Sequence, residues 1–124
     1  MKMLIISTYS NVKIDNLMGK NLPIEVDYTT DYTEAKELIM ANEYQLVVID
    51  LSEYTGVRIF GLITKLNPKQ KIVTLEANAS CKDTFGCSFC LETFNKRRLI
   101  RPYEFSQLKN LVTDFDNTPC HHMN

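Results

Sequence analysis

The segment Leu46–Asp50, LVVID, constrains the fold more than any other part of the chain: four consecutive apolar residues closed by a carboxylate. A run that is apolar at every position has no polar face, so it suits a strand covered on both sides. Met3–Ile6 (MLII) is a second run of this kind, and Ile72–Leu75 (IVTL), with Glu76 directly after it, reads as a further strand. Ile24–Tyr28 (IEVDY) alternates and is compatible with a strand, and Arg97–Arg101 (RRLIR) reads as a short strand before Pro102.

Helical patterns fall between these runs. Asp31 precedes Glu34 by the spacing at which an N-cap and the third helical residue satisfy free amides, and Ala35, Leu38 and Ile39 give that helix a buried face. A short loop ending at Gly56 leads into VRIFGLITKLN, which places Ile59, Phe60, Ile63 and Leu66 on one face despite the propensity cost of Gly61, with Pro68 as a stop. Cys87, Cys90, Leu91 and Phe94 follow helical spacing, and Phe105, Leu108, Leu111, Val112 and Phe115 form the stripe of a last helix. Between Val12 and Leu22 apolar positions are scarce, so only a short helix is expected before Gly19. Five strands alternating with four or five helices predict a three-layer, doubly wound α/β domain with a parallel sheet. Ligands of such sheets gather beyond the carboxyl ends of the strands, which singles out Ser7, Thr8, Asp50, Glu76 and Arg101.

A chain of 124 residues, 44% hydrophobic, carries one domain of ordinary size, read as residues 1–116 with 117–124 as a tail or the start of a linker. Lys plus Arg number 14 against 15 Asp plus Glu, so bulk charge recruits neither nucleic acid nor an anionic membrane. No window approaches the roughly 18 apolar residues of a membrane span. The opening MKMLIIS reads as a strand and not a signal peptide, and a cytoplasmic protein with reduced thiols is expected.

The order of elements resembles the receiver domain of bacterial response regulators over residues 1–116. The resemblance rests on MKMLIIS as first strand, LVVIDLS with Asp50 at the phosphoacceptor-equivalent position, IVTLEA as fourth strand, and LIRPYEFSQL where the family has a strand ending in Lys-Pro-Phe. It implies a flavodoxin-like five-stranded sheet in the order 2-1-3-4-5, a cis bond between Arg101 and Pro102, and no enzymatic activity of its own.

The same resemblance shows an altered pocket. Family members that accept a phosphoryl group end their first strand with two acidic residues that hold Mg²⁺, whereas Ser7 and Thr8 stand here. Glu76 falls on the family's small hydroxyl position, Arg98 on the aromatic position of the fifth strand, and Arg101 on the lysine position. No metal and no cofactor are expected. Two readings of Arg101 stand: it bridges Asp50 and Glu76, or it snorkels while Asp50 caps the next loop and Glu76 points to solvent.

Cys87 and Cys90 have the spacing of a zinc half-site or a redox pair, with Cys81 as a third thiol, and they also continue an apolar stripe, so packed core thiols and a redox-responsive pair are both open. The tail residues Cys120, His121 and His122 complete a site only if the tail folds back. The basic run Lys96, Arg97, Arg98, Arg101 lacks interleaved aromatics and argues poorly for nucleic-acid binding; Arg97 and Arg98 are read as a solvated edge or as meeting Glu92, Asp114 or Asp116 of a second copy.

The expected function is an atypical, non-phosphorylated receiver-like regulatory domain that forms a homodimer through its fourth helix, fifth strand and last helix. It would control an output domain in a transcription regulator, with DNA bound only through a domain beyond Asn124. The alternatives are a stand-alone signalling or redox-responsive protein-binding module, a small enzyme using Asp50 and Glu76 as acid and base, and a flavodoxin-like cofactor binder with STYSN as its phosphate loop.

Overall fold

The structure is a computed structural model, and it describes residues 2–7, 25–76, 96–100 and 105–115. Its strands are β1 (Lys2–Ile6), β2 (Glu25–Thr29), β3 (Leu46–Asp50), β4 (Ile72–Glu76) and β5 (Lys96–Ile100). The helices are α1 (Tyr32–Ala41), α2 (Tyr54–Leu66) and α3 (Phe105–Thr113). All strand pairs are parallel, in the order β2-β1-β3-β4-β5.

Alternation along the strands divides the core in two. Met3, Ile5, Val48, Val73, Leu75 and Leu99 face one side, where Leu108, Leu111, Val112 and Phe115 cover them. Leu4, Ile6, Val47, Ile49 and Ile72 face the other, against Ala35 of α1 and Ile59, Phe60 and Ile63 of α2. Every residue of β3 is buried: its four apolar residues as a central strand requires, and Asp50 with them.

Asp31 caps α1 as its spacing from Glu34 implies: the Glu34 amide donates to the Asp31 carboxylate at 2.9 Å. Arg58 of α2 lies over the Tyr32 ring of α1, 3.8 Å from its centroid, and ties the two helices together. Where the sequence suggested a loop ending at Gly56, α2 already begins at Tyr54. Gly56 is needed inside that first turn because a Cβ there would lie 2.0 Å from the Asp50 carbonyl oxygen. Leu66, expected on the buried face, is 52% exposed, since it is the last helical residue and flanks an open cavity. Among the described residues no helix is long and apolar enough to cross a membrane. The expected short first helix, the cysteine-bearing segment and the Arg101–Pro102 bond lie outside the described residues.

Candidate functional site

The carboxyl edge of the sheet brings Ser7 and Asp50 together. Parallel pairing of β1 with β3 sets Ile6 beside Ile49, so the next residue of each strand emerges at the same height. Asp50 is fully buried and Ser7 is 2% exposed. The Ser7 hydroxyl donates to Asp50 Oδ2 at 3.3 Å. The other oxygen, Oδ1, accepts from the Ser52 amide at 2.9 Å and from the Ser52 hydroxyl in a short hydrogen bond. Asp50 therefore caps the loop after β3, as one reading of the sequence held, through an aspartate-to-backbone turn two residues long. Ser52 was not among the sequence candidates, although Asp-x-Ser is the spacing from which this turn is read.

The second cluster lies between β4 and β5. Glu76 is 8% exposed and Arg98 is fully buried. Arg98 Nε donates to Glu76 Oε2 and Nη2 donates to Oε1, both at 2.6 Å, a bidentate pair. The Thr74 hydroxyl adds a third donor to Oε2 at 3.1 Å. Register explains the meeting: Thr74 pairs with Arg98, so Arg98 lies on the same face as Thr74 and Glu76 and reaches diagonally to the carboxylate.

This corrects two sequence expectations. Glu76 does not point to solvent, and Arg98 is neither a solvated edge nor free for a partner chain. A guanidinium is buried only where a carboxylate meets it, and β4 supplies one. Lys96 is buried too, with Nζ donating to the Pro68 carbonyl at 3.0 Å, and burial lowers its pKa from the ordinary lysine value. Arg97 faces the opposite side, its guanidinium 4.7 Å from the centroid of the Phe115 ring. Thr8, Arg101, Cys81, Cys87 and Cys90 lie outside the described residues, and with them the proposed Arg101 bridge.

A Mg²⁺ centre of the kind held by family members that accept a phosphoryl group fits these donors poorly. Mg²⁺ takes oxygen ligands in octahedral array and draws on carboxylates for charge. The described donors at Asp50 are one carboxylate, with both oxygens engaged by serines, and neutral hydroxyls. Among the described residues no three His, Cys, Asp or Glu side chains converge as a metal would require.

Comparison with known proteins gives the fold a context. A response regulator from Thermotoga maritima superposes with a TM-score of 0.70 at 17% identity, over 93% of this chain and 96% of that one. The CheY-like response regulator receiver domain from Methylobacillus flagellatus gives 0.66 at 22% identity, over 90% and 95%. NtrX from Brucella abortus matches 94% of this chain with a TM-score of 0.66 at 18% identity, but the match spans 26% of the NtrX chain. No family model matches the sequence, and no curated protein does so significantly. The chain has the fold of response-regulator receiver domains.

Proposed function

We propose that this domain is a receiver-type regulatory module of a two-component signalling system that works without phosphoryl transfer to Asp50. The observation that carries the reading is the Arg98–Glu76 pair. By the resemblance, these two positions hold an aromatic ring and a small hydroxyl group, which leave room beside the phosphoacceptor. Here they are joined by two charge-assisted hydrogen bonds of 2.6 Å. The Glu76 charge is met by Arg98, so the pair acts by occupying that place with two large, mutually held side chains, and its two-point contact fixes β4 and β5 in one arrangement.

Ser7 supports the same conclusion, because it offers Asp50 a neutral donor where a metal-binding acid would stand. Output then depends on surfaces: by the resemblance the domain pairs with a second copy through β5, α3 and the segment that carries Cys87 and Cys90, and controls an output domain on the same polypeptide. Such a pairing would be isologous.

The test is incubation with acetyl phosphate and Mg²⁺ followed by intact mass measurement. The mass is expected to stay unchanged. Addition of one phosphoryl group that is lost in Asp50→Asn would overturn the proposal.

A further inference from the structure

Among the described residues four large apolar side chains are exposed, and all four lie in the layer formed by α1 and α2: Met40 at 66%, Tyr54 at 77%, Val57 at 41% and Leu66 at 52%. The described residues of α3, on the other side of the sheet, include none. Exposed apolar side chains gathered on one face mark a surface that another molecule covers.

Charge divides the same layer in two. Residues 31–43, which contain α1, hold four acids against one base, and residues 53–69, which contain α2, hold three bases against one acid. Glu34 and Glu37 of α1 and Arg58 and Lys65 of α2 are all exposed. Tyr54, Arg58, Gly61 and Lys65 recur at i, i+4, i+7 and i+11, on the side of α2 away from its buried Ile59 and Ile63. Among the described residues the Glu34 and Glu37 carboxylates and the Lys65 ammonium meet no counter-charge, and Arg58 meets only the rings of Tyr32 and Tyr54. Gly61, inside the stripe, has nothing within 4 Å of the place where a Cβ would stand, so its backbone is open to a neighbour.

The two charge sets also match in height. Both helices join parallel strands across the same face of the sheet, so they run in the same direction, and the stacking of Arg58 on Tyr32 sets those two residues level. Glu34 therefore lies within one turn of the level of Arg58, and Glu37 within one turn of the level of Lys65. A two-fold axis along the groove between α1 and α2 lays each α1 over the α2 of a second copy at these same heights, so that acids meet bases twice. An axis across the helices would set α1 on α1 and α2 on α2, like charge on like. We propose that α1 and α2 form an isologous docking face for a second copy of this chain, with Glu34 and Glu37 of one copy meeting Arg58 and Lys65 of the other. A face two helices wide is small beside those of permanent dimers, so the association is transient and weakened by salt. It lies across the sheet from α3 and does not depend on the pairing surface inferred above.

The test is sedimentation of the full chain over a concentration series, with two variants. Arg58→Glu with Lys65→Glu makes α2 acidic, and Glu34→Lys with Glu37→Lys makes α1 basic. Each variant alone sets like charges face to face and should self-associate at least about tenfold more weakly than the wild type. In an equimolar mixture the acidic α2 of one variant meets the basic α1 of the other, while their unaltered helices pair as in the wild type. The average mass of the mixture should therefore rise above that of either variant alone. The single changes Lys65→Glu and Glu37→Lys, which disturb no charge contact among the described residues, should repeat the pattern more weakly and separate it from any misfolding of the double variants. Association at wild-type strength in both double variants would leave pairing through β5 and α3 standing and overturn this proposal. A mixture no heavier than its components, or a wild type that stays monomeric at every concentration, would overturn it too.

Discussion

Arg98 and Glu76 meet across β4 and β5 with both guanidinium-to-carboxylate contacts at 2.6 Å and almost no access to solvent. Removing one partner of such a pair leaves the other charge buried, at a cost of roughly 3 to 5 kcal/mol, whereas exchanging both for apolar or neutral groups of similar volume is often harmless. Arg98→Met is therefore expected to lose several kcal/mol. Arg98→Met combined with Glu76→Gln should recover most of the loss, because contacting residues do not behave additively. Urea unfolding of the wild type, Arg98→Met, Glu76→Gln and the double variant measures the coupling directly, and simple additivity would show that the pair has no joint role.

The two glycines of α2 should respond in opposite directions. Gly61 is exposed and a Cβ there meets nothing within 4 Å, so Gly61→Ala is expected to stabilise by about 0.5 to 1 kcal/mol through helix propensity. Gly56→Ala would drive a methyl group into the Asp50 carbonyl and displace either the helix or the loop that orients Asp50. Thermal unfolding of both variants checks the sign of each change.

Tyr44 gives a pH signature. Burial, with a hydrogen bond of 2.7 Å from its hydroxyl to Asp27, pushes its pKa well above the ordinary value of 10.0. The folded state therefore holds a proton that the unfolded state releases, and stability falls as pH rises past 10. Tyr44→Phe should lose part of this alkaline decline, as followed by urea midpoints between pH 8 and 11.

Lys96 acts in the opposite sense. Its folded pKa is lowered from 10.5 by burial, so the unfolded state binds the proton more tightly and the cost of the charge is greatest at neutral pH. That cost is relieved as pH rises from the lowered pKa through 10.5. Lys96→Met should show a smaller rise in stability over that interval than the wild type.

Part of the fold was legible because two central strands are written as apolar runs: the four apolar residues of LVVID are buried, as their sequence required, and Asp50 is buried with them. The Asp31 cap was equally legible, since its two partners are three residues apart. Arg98 was not. Its partner is 22 residues away, and only the register of β4 against β5 places them together, so a run of Lys and Arg read as surface. Ser7 and Asp50 were identified from where their strands end, but the third member, Ser52, belongs to the turn that follows. Gly56 was read as the end of a loop, yet it lies inside α2, where close approach of the helix to the end of β3 leaves no space for a side chain.

The strand order also says something about synthesis. Each strand after the first has a neighbour that precedes it in the chain: β2 and β3 flank β1, β4 adds to β3, and β5 adds to β4. A nascent chain leaving the ribosome can extend this sheet outward from its first strand without waiting for a later one to open a place. The charges follow the same sequence of events. Because Arg98 belongs to β5 and Glu76 to its neighbour β4, the strand that completes this edge of the described sheet is also the one that carries the counter-ion of the acid.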